Sequence, residues 1–292
     1  KVNLENLEPI WMVRREIFDN FILRQGQKQG AEIKDKTAVT GIEWKSDRWQ
    51  INTTKESFTS RYLIAADGAK GPMAKWLGFD KRNLFGGGAI ETEVPVKNPQ
   101  IDSAYFEFGM LNNGYAWNFP KADGYSLGVG TFWQRRGRNL KGILREYATM
   151  FDADVSEVRH FGHPLCLWNG NQKLHTQNAV LAGEAACLVD PFTAEGIRPS
   201  IFSGIKAAEA IDAALAGDIF ALEKYTQTII EEWGNDLVWA QRLAGAFSRF
   251  PRLGYDVGVR RSKGTIIMTK ILSGELRYSD VVKRALRRLL PF

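Results

Sequence analysis

The chain has 292 residues, 44% of them hydrophobic and 25% charged, with a formal net charge of +6. Such a composition fits a folded globular protein with core enough for one large domain or two ordinary ones, and it excludes a disordered chain. No apolar run reaches the ~18 residues a spanning helix needs and no secretory signal is visible, so an intracellular, cytoplasmic protein is expected.

Two cysteines, Cys166 and Cys187, are expected as reduced, buried thiols rather than a disulfide framework. With only His160, His163 and His175 alongside them, no metal centre is expected. The positive charge is a C-terminal property, because from Arg242 onward there are 12 Lys and Arg against three acids, Asp256, Glu275 and Asp280. No nucleic-acid motif accompanies that basic tail. It therefore reads as a surface facing an anionic membrane or simply water.

In chain order, Ile10, Val13, Ile17, Phe18, Phe21 and Ile22 recur at helical spacing and predict a helix over residues 11–30, ended by Gly30. Strands follow over residues 39–44, 49–53 and 57–66, the first two joined by a hairpin at Ser46-Asp47. The third runs into Asp67-Gly68, after which Pro72 opens a short helix, 73–77. From residue 84 to 167 the texture becomes antiparallel sheet, with strands over 87–94, 103–109, 115–119 and 125–132. Asn112-Asn113-Gly114 and Ala122-Asp123-Gly124 supply the hairpin turns. A helix over 140–151 and a strand over 157–161 close this part. Alternation puts Tyr115, Trp117 and Phe119 on one face, as an apolar pocket or an apolar core would need.

Residues 178–210 form the central stretch. Residues 179–182 read as a buried strand, Gly183-Glu184 breaks it, and a loop at Asp190-Pro191-Phe192 leads through Gly196 into a helix over 201–216. A helix N-terminus carries unpaired N–H groups and about half a positive charge, so Gly196 and Ile197 stand where an electron-rich group would be met. Residues 220–247 read as one or two amphipathic helices and 264–272 as another. The last helix, 278–290, opens on a Ser279-Asp280 cap. It carries Lys283, Arg284, Arg287 and Arg288 on a stem of Val281, Val282, Leu286, Leu289 and Leu290. It either lies on an anionic membrane or packs that stem inward.

Gly183-Glu184-Ala185-Ala186 with Val189-Asp190-Pro191-Phe192-Thr193-Ala194-Glu195-Gly196-Ile197 resembles the second flavin-binding motif of FAD-dependent reductases and hydroxylases. Within them it is most similar to the geranylgeranyl reductase family. Arg61 to Pro72 resembles the Asp-Gly motif of the same proteins, Arg15-x-x-Phe18-Asp19 their helix preceding a strand, and Tyr115-Ala116-Trp117-Asn118-Phe119-Pro120 their substrate motif. The resemblance departs at Glu184, where aspartate is usual, and at Ala194, where glycine is common. No Gly-x-Gly-x-x-Gly word occurs, since Gly86-Gly87-Gly88 lacks its spacing and context; the family's opening nucleotide-binding segment is therefore expected to be missing.

The resemblance implies an α/β fold of the α+β kind. It would consist of an incomplete three-layer FAD-binding domain (residues 1–83 and 177–217), an inserted antiparallel substrate sheet (84–176) and a C-terminal helical region (218–292). It implies FAD held by Gly183, Glu184, Asp190, Pro191, Gly196 and Ile197, with Arg15, Asp67 and Gly68 as further contacts. NADPH would donate electrons, and Tyr115, Trp117 and Phe119 would line an isoprenoid pocket. A proton donor is not assigned. The rival readings are a monooxygenase of the same fold and a flavin-free module binding a lipid or a partner.

Overall fold

The computed structural model describes residues 8–79, 86–99, 103–111, 113–132 and 139–289. It divides into two compact units, Trp11–Leu63 and the remainder from Ile64 together with Lys1–Ile10. The smaller unit holds helix α1 (Arg15–Lys28) and an antiparallel meander of β1 (Val39–Lys45), β2 (Arg48–Thr53) and β3 (Ser57–Ser60). Ser46 and Asp47 both take positive φ, the conformation a two-residue hairpin requires, and Lys45 pairs with Arg48 across it. Trp44 and Trp49 meet edge to face at 5.2 Å, with Trp49 buried. No residue of α1 is buried.

The single strand expected over 57–66 is two. β3 pairs with β2, and the chain then leaves that meander at Arg61-Tyr62 to enter β4 (Leu63–Ala65) in another sheet. A continuous apolar stretch does not tell which sheet each half joins. β4 lies in a three-stranded sheet with β10 (His175–Thr176) and β11 (Ala179–Leu181), in the order β10-β11-β4. The short helix α2 (Met73–Trp76) follows β4.

The largest sheet is antiparallel throughout. It contains β5 (Gly86–Pro95), β6 (Tyr105–Glu107), β7 (Gly114–Lys121), β8 (Gly124–Phe132) and β9 (His160–Cys166), in the order β6-β7-β8-β5-β9. One face carries Ile90, Val94, Ala116, Leu127 and Val129, which form a core with Leu144, Tyr147 and Ala148 of helix α3 (Leu140–Thr149). Asn139 caps that helix by accepting the Gly142 N–H at 2.9 Å. Two expectations shift here: β9 starts three residues late and runs on to Cys166, and Asn112 of the predicted turn lies outside the described residues.

The opposite face carries Tyr115, Trp117 and Phe119, as alternation required. Trp117 lies flat on β8: a Cβ at Gly128 would stand 2.0 Å from its Cζ2. Gly128 is therefore a seat for the indole.

Helix α4 (Ile197–Leu215) starts four residues before the predicted 201, because Gly196 ends the loop directly and Pro199 sits in the first turn, where its missing N–H is harmless. Residues 220–247 give α5 (Ala221–Ile229) and α6 (Asn235–Arg249), joined through one widened turn, Ile230–Gly234. A four-residue helix, α7 (Pro251–Gly254), and a second widened turn, Tyr255–Val259, went unpredicted. They lead into α8 (Ser262–Ser273) and α9 (Tyr278–Leu289). Ser279-Asp280 is not the cap of α9. Asp236 of α6 reaches across instead, accepting the N–H groups of Tyr278 (3.1 Å) and Ser279 (2.8 Å). Of the proposed stem, Val281 packs inward with Ala240, Ile271 and Tyr278, whereas Lys283, Arg284 and Arg287 are exposed. Leu290 lies outside the described residues.

Gly128→Ala is expected to lower stability by about 1–3 kcal/mol through overpacking against Trp117. Gly88→Ala, in β5 of the same sheet with nothing within 4 Å of its new methyl, serves as the control and is expected to leave the denaturation midpoint unchanged or slightly raised.

Candidate functional site

β4 and β11 meet at their C-terminal ends, where the Ala182 N–H donates to the Ala65 carbonyl at 2.9 Å. Two of the predicted words thus leave one end of one sheet together, the position where open α/β sheets take their ligands. After β4, the Asp67 carboxylate accepts the Met73 N–H at 2.9 Å and caps α2, and Gly68 follows at φ +76°. After β11 the chain makes a tight turn over Gly183–Ala186. Gly183 sits at φ +59°, its N–H donating to the buried Ser203 hydroxyl at 2.8 Å, and a Cβ there would stand 3.1 Å from Ser200 Oγ. Glycine is required by the left-handed backbone and by the closeness of α4.

Glu184 does not point into open space. One carboxylate oxygen accepts the Cys166 N–H at 3.1 Å and the other lies 2.6 Å from His163 Nε2, so β9 holds this side chain. Its extra methylene gives it that reach. His163 is thereby a neighbour of this turn.

The expectation of two reduced thiols is overturned, because Cys166 and Cys187 form a disulfide across a Cα separation of 4.7 Å. The cause is tertiary. The Trp168 N–H donates to the Val189 carbonyl at 2.9 Å, laying residues 166–168 beside 187–189. Sequence spacing carries no sign of that pairing.

The loop from Asp190 to Gly196 is organised by the buried Asp190 carboxylate. One oxygen accepts the N–H groups of Phe192 (2.7 Å) and Thr193 (3.1 Å), and the other accepts the Tyr278 hydroxyl at 2.7 Å. Its backbone closes the same loop, taking the Ala194 N–H at 2.9 Å and giving its own N–H to Glu195 O at 2.8 Å. The expected role for Asp190 was direct contact with the flavin's ribityl and pyrophosphate side. These contacts turn the carboxylate inward, towards the loop and α9. Burial raises its pKa above the ordinary carboxylate range despite the hydrogen bonds that oppose the rise. Burial likewise raises Glu195, whose carboxylate accepts the Arg198 N–H at 2.8 Å and also engages the Ile197 N–H. The Arg198 guanidinium continues the chain of contacts to the Ile271 carbonyl, 3.1 Å away on α8.

The aromatic sheet face adjoins this loop. The Tyr115 hydroxyl donates to the Thr193 carbonyl at 2.6 Å, and burial raises the phenol's pKa. Ring contacts run from Tyr115 to Trp117 (5.8 Å) and on to Phe119 (6.1 Å, stacked). On the other side of the loop, Phe192 meets Phe247 at 5.9 Å and Tyr278 at 6.4 Å. Pro191 is buried at the head of the loop. Arg15 lies in the smaller unit, where it holds Asp19 through two nitrogens at 2.8–2.9 Å. Among the described residues no group of three or more His, Cys, Asp or Glu could hold a metal.

Tyr278, Ser203, Phe247 and Arg198 escaped the sequence reading. Each meets its partner across many residues, 88 in the case of Tyr278 and Asp190.

No family model matches the chain. An uncharacterised protein of Methanosarcina barkeri is 30% identical over 241 residues, which span 82% of this chain and 61% of that protein. The digeranylgeranylglycerophospholipid reductase of Methanosarcina acetivorans is 29% identical over 249 residues, 78% of this chain and 60% of the relative. In sequence the chain is similar to proteins named digeranylgeranylglycerophospholipid reductase. It spans about three fifths of the length of these curated relatives. The fold is that of the geranylgeranyl bacteriochlorophyll reductase-like protein of Thermoplasma acidophilum, with a TM-score of 0.77 at 22% identity over 94% of this chain and 75% of that one. Within this fold, Asp67 and Gly183 follow adjacent strand ends, and the loop that begins at Asp190 is hydrogen-bonded to the aromatic sheet through Tyr115.

Two outcomes are expected. Tyr278→Phe removes a donor from a buried carboxylate and is expected to destabilise the protein by about 1–3 kcal/mol. That hydroxyl favours the ionised form of Asp190, so its loss pushes the already raised pKa further up. The deficit therefore grows as pH rises through the titration of this carboxyl and shrinks as pH falls and it is protonated in parent and variant alike, a trend that denaturation at a series of pH values reads directly. Replacing both cysteines by alanine is expected to cost about 2–4 kcal/mol in the same assay, and reductant should then have no further effect.

Proposed function

We propose that this chain forms the flavin-ring and substrate portion of an FAD-dependent reductase that hydrogenates geranylgeranyl-type double bonds of an isoprenoid lipid, with NADPH as electron donor. The observation that carries the reading is the Tyr115–Thr193 hydrogen bond at 2.6 Å, which ties an aromatic, half-buried sheet face to the loop that resembles a flavin-binding motif. The naming of relatives as digeranylgeranylglycerophospholipid reductases supports reduction over oxygen insertion, and supports a lipid as substrate.

The residues present suit a flavin. Gly183 offers backbone with no side chain, at the C-terminal ends of two adjacent strands, and the loop from Asp190 to Gly196 is fixed before any ligand arrives. On this reading residues 1–83 and 177–217 form the flavin side, 84–176 the substrate side and 218–292 a helical cover. Gly183, Gly196 and the backbone of the 190–196 loop would hold the flavin, with Glu184 and Asp67-Gly68 beside them. When bound, the flavin supplies hydride transfer.

The chain's own residues bind, orient and dry the site. Tyr115, Trp117 and Phe119 take up an apolar chain by burial, worth about 25 cal/mol per Å² of apolar area, and keep water from the alkene. Asp190 and Tyr278 act as positioning residues, keeping the loop in one conformation so that the alkene lies at a fixed distance from the reactive ring.

The test is anaerobic turnover of the full-length protein with FAD, NADPH and a digeranylgeranyl glycerolipid. The expected result is bleaching of the flavin by NADPH, return of its colour on adding lipid, and a lipid that gains two hydrogens per reduced bond as read by mass spectrometry. Trp117→Ala should raise KM for the lipid about tenfold or more while NADPH bleaching persists. A flavin that is bleached and never reoxidised by the lipid would overturn the substrate assignment.

A further inference from the structure

The stretch that follows α6 is an exposed apolar tip ringed by cations. Phe250, Leu253, Tyr255 and Val257 are 45–63% exposed, spread from the end of α6 through α7 into the second widened turn. Lone exposed apolar residues are ordinary, but four of this size within eight residues form a patch. Arg249, Arg252, Arg260, Arg261 and Lys263 are exposed around them, against one acid, Asp256, which Arg260 faces at 3.6 Å. The tip is also well formed. The Arg260 N–H closes on the Tyr255 carbonyl at 2.8 Å, and the Thr265 hydroxyl donates to the Val259 carbonyl at 3.0 Å.

Its inner side leads to the site. Phe247, one turn before the tip, meets Phe192 of the central loop at 5.9 Å and Phe108 at 5.8 Å. Apolar surface therefore runs from the loop at Asp190 outward to the exposed patch. We propose that the tip formed by residues 249–263 docks on the surface of an anionic phospholipid bilayer, its apolar side chains entering the headgroup boundary and its arginines meeting lipid phosphates. Charge decides the occupant. An apolar patch ringed by five cations matches an interface that is apolar below and negative above, where each basic side chain near the surface adds about fivefold to binding. A neutral protein partner would leave those cations uncompensated. The proposal goes beyond the reductase reading and needs neither flavin nor turnover to be tested.

The experiment is co-sedimentation of the full-length protein with vesicles of phosphatidylcholine alone and of phosphatidylcholine with phosphatidylglycerol. Binding is expected to the anionic vesicles, to weaken with added salt, and to fall about tenfold or more both in Phe250→Ser/Leu253→Ser and in Arg252→Gln/Arg260→Gln. Circular dichroism of the variants should match the parent, since neither pair is buried. Equal binding to neutral and anionic vesicles would overturn the proposal. So would binding lost in Lys283→Gln/Arg284→Gln/Arg287→Gln on α9 but kept in the tip variants. Concentration-dependent dimerisation that the tip variants abolish, without vesicle binding, would assign the patch to a second copy of the chain and overturn it equally.

Discussion

A carboxylate buried as deeply as that of Asp190 is stable only if its lone pairs are filled, and this requirement ties the molecule together. Two donors come from its own loop, at Phe192 and Thr193, and one from Tyr278 on the final helix. The first pair fixes the loop's shape. The third fixes where the C-terminal helices must sit, because α9 cannot leave without exposing a buried acid to an empty place. Asp236 then caps the helix that carries Tyr278, so the start of α9 is tied to α6 as well as to the loop.

The sheet is bound into the same arrangement from the other side. Tyr115 bonds the Thr193 carbonyl while Trp117 rests on Gly128, so the aromatic face has both a fixed floor and a fixed edge. At the turn after β11, Gly183 leans on α4 through Ser203, and Glu184 and the Cys166–Cys187 disulfide hold it to β9. A flavin ring placed against such a loop would meet a surface that does not need to rearrange. That rigidity is the physical basis of the proposal that a flavin is held at this end of the sheet.

Local features were legible in the sequence. Ser46-Asp47 declared its hairpin, alternation sorted Tyr115, Trp117 and Phe119 from Ala116 and Asn118, and the words at Asp67 and Gly183 fell at one end of a sheet because they follow adjacent strands. Features set by tertiary pairing were not legible. Nothing near Arg61 says that the strand changes sheets there. Nothing near Ser279 says that Asp236 will cap it, and the spacing of Cys166 and Cys187 is silent about the bond between residues 168 and 189 that brings them together. Asp190 shows the same limit within the site: its place in a flavin motif suggested a ligand contact, and only its partners reveal a carboxylate facing inward.

The loop from Asp190 to Gly196 and the aromatic sheet face are proposed as one site for a flavin and an apolar chain. The most direct measurement is the visible spectrum of the FAD-loaded full-length protein, titrated with a saturated prenyl glycerolipid that binds without reacting. The account predicts a saturable shift of the flavin bands as water is displaced from the ring, and its loss in Trp117→Ala. Lipid binding detected independently with no change in those bands would contradict it, because the two ligands would then occupy separate places.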